Sequence, residues 1–256
     1  MRMTRSNLDR LAAVLRELHG NKNLVIGGDP LAELILTVLS QATNDHNRDR
    51  AFASLRAAFP TWEAVAAAPV EAIERAISVG GLARNKAPRI QAIIRSVRSS
   101  DDLRRELEAR TVDEAIDYLC TLPGVGPKTA ACTLLFALGQ PAFPVDTHIQ
   151  RIALRLGLVP AKAGAVKTQA EFNRLLRGSR GGASVREPAT PAQLYDLHVN
   201  MLTHGRLVCR PTNPRCDACP LAAECDHPPR ELKGKRSRRS PGRAVAPAGE
   251  VLPPQK

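Results

Sequence analysis

Aromatic side chains are scarce in this chain, with one tryptophan, two tyrosines and five phenylalanines among 256 residues. Strands draw on aromatic and β-branched residues in alternation, and no stretch here alternates apolar and polar residues with period two. An all-α fold is the expectation. Long apolar runs are missing as well. The most apolar one, Leu31 to Leu39, is broken by Glu33 and Thr37 and falls far short of the roughly 20 residues needed to cross a bilayer, which sets a membrane protein aside. At the N-terminus Asp9, Arg10, Arg16 and Glu17 leave no apolar core for a signal peptide. A cytoplasmic, bacterial-type location is therefore expected, and with it six cysteines that serve as thiols or metal ligands rather than disulfides. No internal repeat of fixed long period is present.

What is present in excess is positive charge. Lys and Arg number 37 against 25 Asp and Glu, a net charge of +12, which points to a polyanionic partner. Hydrophobic residues make up 43%, enough to core one large domain or two modest ones. Between Pro229 and Lys256 there are eight basic and two acidic residues and little to bury. That segment reads as a disordered basic tail, either a sequence-independent phosphate tether or simply solvated. Arg177 to Thr190, rich in Gly, Ser and Arg, reads as an exposed loop.

Helix punctuation is legible along the chain. Ser6-Asn7-Leu8-Asp9 resembles a capping box ahead of Leu11, Leu15 and Leu18 at helical spacing. Asp29-Pro30 supplies an N-cap and a first-turn proline for a buried helix. Thr61-Trp62-Glu63 and Pro69-Val70-Glu71 open two short helices, and Val79-Gly80-Gly81 separates the second from a basic helix around Ala87 to Arg98. Thr111-Val112-Asp113-Glu114 is a capping box whose helix stops before Pro123-Gly124.

Leu122-Pro123-Gly124-Val125-Gly126-Pro127-Lys128-Thr129-Ala130 joins two helical patterns through a turn with two glycines. Gly124 and Gly126 permit positive φ and a close backbone approach, and Pro127 suits the first position of the next helix. The N–H groups of such a turn can cradle a phosphate without reading bases, or the turn can simply join two helices. Lys128 falls in the first helical turn, where the dipole disfavours an ammonium and favours a nucleophilic amine. Spacing leaves it balanced between nucleophile and phosphate-pairing cation. Downstream, Asp146 of Val145-Asp146-Thr147-His148-Ile149 can N-cap a helix running to Leu156, and it can also offer a carboxylate to positive charge developing on a sugar.

Cys209, Cys216, Cys219 and Cys225 follow the spacing Cys-x6-Cys-x2-Cys-x5-Cys, with Pro211, Pro214 and Pro220 stiffening the intervening loops. Four thiolates so close bind a metal centre, and zinc and a cubane iron-sulfur cluster both accept them. Cys120 and Cys132 sit on apolar faces and read as small buried hydrophobes.

Taken together, the hairpin, the Asp146 segment and the cysteine spacing resemble the endonuclease III family of helix-hairpin-helix DNA glycosylases. The likeness extends from the first helix to Cys225. It implies two all-α lobes with a DNA-binding cleft between them: a six-helix domain at 29–137 holding the hairpin, and a cluster domain formed by 1–28 with 138–228, followed by the tail at 229–256. It makes Lys128 the Schiff-base nucleophile, Asp146 its carboxylate partner, and the four cysteines the ligands of a [4Fe-4S] cluster. Gln41 of Leu39-Ser40-Gln41-Ala42-Thr43 would enter the duplex where the damaged nucleotide flips out, and Leu82 would wedge the opposite strand. Gly124, Val125, Gly126, Thr129 and His148 would contact DNA. The partner implied is duplex DNA with damaged bases or abasic sites, bound by a monomer, and the reaction is removal of oxidised pyrimidines followed by β-elimination. Two alternatives stay open: a mismatch-directed glycosylase of the same superfamily, and a non-catalytic DNA-binding module. The Gln41 segment is a residue shorter than the family pattern and the Arg177 to Thr190 loop is longer, and both bear on substrate choice.

Overall fold

The computed structural model describes residues 3–26, 28–178 and 187–227. Among these residues every regular element is helical, with twelve α-helices and three short 3-10 turns. The all-α expectation holds. The tail at 229–256 and residues 179–186 of the Gly-rich loop lie outside the described residues. Among the described residues no helix is long and apolar enough to cross a membrane.

Helix α1 (Arg5–His19) buries Leu8, Leu11 and Leu15 on one face, as their spacing predicts. Its cap is Thr4, whose hydroxyl accepts from the Asn7 N–H, so the helix starts one residue before the Ser6 box. Helix α2 (Pro30–Leu39) begins as expected: Asp29 Oδ1 accepts from the Leu31 and Ala32 N–H groups at 2.8 and 3.1 Å. The second Asp29 oxygen accepts from Trp62 Nε1 at 3.1 Å, so one carboxylate both starts a helix and holds a neighbour.

The chain continues through α3 (Asp45–Ala58), α4 (Trp62–Ala67), α5 (Val70–Ala76), α6 (Ala83–Val97), α7 (Ser100–Glu108), α8 (Val112–Cys120) and α9 (Pro127–Leu138). Asn44, Thr61 and Ser99 cap their helices with side-chain oxygens, and Thr111 with Glu114 forms the predicted capping box. These elements fall in one compact unit, Val25–Pro144. At its centre α2 and α9 pack together, and both are apolar on nearly every face, the pattern of core helices rather than surface ones. The consequence is positional. The end of α2 carries Gln41, and the start of α9 carries Lys128.

The other unit comprises the described residues of Met1–Leu24 and Val145–Lys256. The family resemblance implies a division near residues 28 and 137, whereas contacts set it at Leu24 and Pro144. Within this unit α1 packs on α12 (Pro191–Leu207), α10 (Thr147–Arg155) packs on α12 as well, and α11 (Ala165–Leu176) lies beside α10. Gly205 makes one of these contacts possible, because a Cβ there would lie 2.7 Å from the His148 Cβ. Helix α12 opens on a complete capping box, Thr190 with Gln193, and a first-turn proline.

Candidate functional site

In the Val25–Pro144 unit the hairpin between α8 and α9 is pinned from below. Val125 is buried, and its N–H donates to the Leu122 carbonyl at 3.1 Å. Gly124 has φ +75°, and an added Cβ would lie 2.8 Å from Arg89 Cδ. The left-handed conformation favours glycine, while the Arg89 side chain could move aside. Gly126 caps α9 without any side-chain hydrogen bond, and Pro127 takes the first helical position. The first N–H groups of α9 therefore have no capping side chain, unlike those of α1 to α4. Uncapped donors at a helix N-terminus suit an anion. Lys128 is half-buried in that first turn. Thr129 is only 4% exposed, and its carbonyl accepts from the Thr133 hydroxyl at 3.1 Å.

Gln41 Nε2 donates to the Gly124 carbonyl at 3.1 Å, which ties the end of α2 to the hairpin. The next residue, Ala42, has φ +53°, and Leu82 has φ +52°. Neither is a glycine. Left-handed backbone at a leucine costs about 1 kcal/mol or more, and this leucine is also 55% exposed. Its carbonyl starts α6, accepting from the Asn85 and Lys86 N–H groups, while its apolar side chain stands largely in solvent.

Beneath both segments lies Lys86, a residue sequence reasoning missed. It is 2% exposed, and its ammonium donates to the Leu39 carbonyl at 2.7 Å and the Gly80 carbonyl at 3.0 Å. Burial pushes its pKa down. Each carbonyl lies two residues before a predicted DNA-contacting side chain, Gln41 in one case and Leu82 in the other. One buried cation thus braces both segments. Lys86→Met is expected to orphan two carbonyls and lower unfolding stability by about 2 to 4 kcal/mol, read by denaturant titration. An unchanged midpoint would remove the brace.

In the other unit Asp146 is the N-cap of α10, its Oδ1 accepting from the Ile149 N–H at 2.8 Å. Capping engages one carboxylate oxygen and leaves a second role open to Oδ2. His148 Nδ1 stands 2.9 Å from Arg151, whose guanidinium can only donate, so Nδ1 accepts. Arg151 also donates to the carbonyls of Cys209 and Gly205, both at 2.9 Å. The Asp146 helix is thereby fastened to the cysteine segment.

Cys209, Cys216, Cys219 and Cys225 line a single cavity with Arg155 and His227. Arg155 donates to Cys209 Sγ at 3.3 Å, and Cys225 Sγ donates to the Arg155 carbonyl at 3.2 Å. His204 Nε2 lies 3.5 Å from Cys219 Sγ, while its Nδ1 lies 3.3 Å from His19 Nε2. Burial pushes the Cys219 thiol up to about 11 and raises Cys216 and Cys225 too. Burial likewise brings His204 down to about 4. Thiolates here need a cationic centre to offset that burial. Among the described residues no three His, Cys, Asp or Glu side chains gather closely enough to hold a metal ion, although all four cysteines line the same cavity. Cys132 is buried and burial raises Cys120, in keeping with small hydrophobes.

The glycine hairpin that opens α9 on Pro127 and Lys128 lies within a stretch that has relatives among known proteins. Residues 35–178 match the family model described as HhH-GPD superfamily base excision DNA repair protein. The chain belongs to that superfamily. It is 34% identical over 208 residues to endonuclease III of Thermotoga maritima, covering 81% of this chain and 87% of that protein, which sets it in the endonuclease III family. It is 38% identical over 177 residues to a putative DNA glycosylase of Arabidopsis thaliana, covering 68% of this chain and 56% of the relative. The chain thus spans little more than half of that plant protein. Among solved structures, a non-covalent endonuclease III–DNA complex matches with TM-score 0.65 and 28% identity, over 91% of this chain and 97% of that one.

Proposed function

We propose that this HhH-GPD protein is a bifunctional DNA glycosylase and abasic-site lyase that removes oxidised pyrimidines from duplex DNA. The observation that carries the reading is Lys128, half-buried in the first turn of a helix that opens on the Gly124-Val125-Gly126-Pro127 turn. The backbone amides at that helix start and the glycines of the hairpin hold a DNA phosphate. The Lys128 amine attacks C1′ of the damaged nucleotide, the base leaves, and the resulting Schiff base permits β-elimination at the abasic site. Asp146 stabilises positive charge on the sugar, and His148 contributes to holding DNA. Gln41 and Leu82 fill the space left by the extruded nucleotide, offsetting the unstacking that extrusion costs.

The four cysteines suit a [4Fe-4S] cluster. All four line one cavity, and such a cluster takes four thiolates, as the family resemblance implies. When bound, the cluster supplies a rigid cationic cross-link, since base excision moves no electrons. The residues it would order include Arg210 and Arg215, which lie in the cysteine segment and can face phosphates. The protein acts as a monomer in a cytoplasm continuous with its DNA.

The test is borohydride trapping on duplexes carrying one lesion each: thymine glycol, a G·T mismatch, a G·U mismatch and an abasic site. Trapping with thymine glycol and the abasic site supports the reading. Absence of any covalent adduct removes the lysine mechanism, and preference for the mismatches moves the substrate. For the wedge, Leu82→Gly relieves left-handed strain while adding chain entropy, so stability should stay within about 0.5 kcal/mol. Excision from the damaged duplex should nonetheless fall about tenfold; unaltered excision would strip Leu82 of its role.

A further inference from the structure

Resting on the reading that the hairpin holds a DNA phosphate, we propose that Arg89 is a positioning residue that pairs with the DNA backbone there and seats the duplex on the Gly124 turn. Helix α6 carries Arg84, Lys86, Arg89 and Arg95 and no acidic residue. Two of these cations serve the fold. Lys86 is held by the Leu39 and Gly80 carbonyls, and the Arg95 guanidinium donates to the Ala66 carbonyl at 2.9 and 2.7 Å. Arg89 has no such task. It is exposed, and among the described residues it makes no hydrogen bond and no ion pair.

What Arg89 does touch is the hairpin. A Cβ built on Gly124 would lie 2.8 Å from Arg89 Cδ, 3.3 Å from its Nε and 3.4 Å from its Nη1. The end of the stem and the guanidinium therefore lie along the open face of that glycine. Gly124 is itself exposed, and its carbonyl is already engaged by Gln41 Nε2. The arginine thus packs on the turn without donating to it, and its five N–H donors stay open to a ligand.

A planar fork of donors suits a phosphate, which it can grip through two parallel N–H···O bonds. Duplex DNA presents phosphates along its whole backbone, and contacts to them set register without reading sequence. Register matters at this turn because the same glycine is tied to Gln41, the side chain assigned to the gap left by the extruded nucleotide. A phosphate held on Arg89 fixes the duplex relative to Gln41. It also gives the hairpin a cation that never loses its charge, beside a Lys128 amine that must be neutral to attack.

The experiment is equilibrium binding of the full chain to an undamaged duplex and to a duplex bearing a single abasic site, followed by fluorescence anisotropy from about 50 to 200 mM salt. Steady-state cleavage of the abasic duplex is measured alongside. Arg89→Ala should bind both duplexes about tenfold more weakly at the lowest salt, and its slope of log affinity against log salt should be shallower by about one. KM for the abasic duplex should rise in step, with kcat falling by much less than KM rises. Melting should stay at the wild-type temperature, since the substitution removes no hydrogen bond or ion pair among the described residues. Arg89→Lys, which keeps the charge but not the fork, should restore the slope and only part of the affinity. An Arg89→Ala slope and affinity equal to wild type, or a loss confined to one of the duplexes, overturns the proposal, as does an Arg89→Lys slope as shallow as that of Arg89→Ala. Wild type that binds neither duplex would instead overturn the phosphate reading of the hairpin. Wild type that binds but never traps with borohydride would overturn the lysine reading alone.

Discussion

Lys128→Ala is expected to bind an abasic duplex almost as wild type does yet to cut it about 10³-fold more slowly, equivalent to about 4 kcal/mol of barrier. No borohydride adduct should form. The size follows from the loss of a covalent route: nothing else in the hairpin offers an amine, and the neighbouring Thr129 hydroxyl is buried. Binding should survive because the hairpin holds phosphate through backbone amides, which the substitution leaves in place. The competing role makes the opposite forecast. Were Lys128 only a phosphate-pairing cation, the variant would bind more weakly at low salt, its log-affinity slope against salt would lessen by about one, and any wild-type cleavage would persist. Adduct formation by Lys128→Ala equal to wild type would end the nucleophile assignment.

The second large effect concerns the cysteine cavity. Cys219→Ser should yield protein without broad visible absorption, with iron and acid-labile sulfide sharply reduced, and with unfolding stability lower by on the order of 5 kcal/mol. Cys219 is the thiol that burial raises most clearly, to about 11, and the one His204 approaches, so it is the ligand least able to be replaced by solvent. The destabilisation should spread beyond the loop. Arg151 and Arg155 fasten α10 to the Cys209–Pro211 backbone, and His204 links the cavity to His19 on α1. Cys120→Ser is the control, since Cys120 lies on α8 and does not line the cavity, and it should leave the absorption intact. A colourless wild type with bound zinc, or a stable and fully active Cys219→Ser, would refute the cluster and its structural role respectively.

Much of the helical framework was legible because its signals are local. Asp29, Thr61, Thr111 and Asp146 all cap the helices assigned to them, since a cap joins a side chain to an amide only two or three residues away. The first helix starts ahead of its expected box for the same reason: Thr4 reaches the Asn7 amide first. The capping box at Thr190 and Gln193 was equally visible in the residues but follows a Gly-rich stretch that reads as loop. Among the DNA-contacting candidates, Gln41 and the hairpin meet in one hydrogen bond, whereas Thr129 turned out to bury its hydroxyl.

The order of residues determined the helical class, the glycine hairpin, the place of Lys128 in a first turn, the cap at Asp146 and the quartet of cysteines. Each is a matter of short-range spacing. Only the tertiary structure decided that Lys86 braces the Gln41 and Leu82 segments and that His204 approaches Cys219. Those pairings join residues up to 47 positions apart in the chain. Burial and electrostatic reach are properties of distance through space, and a helix core that excludes water sets them without leaving a period or a motif behind.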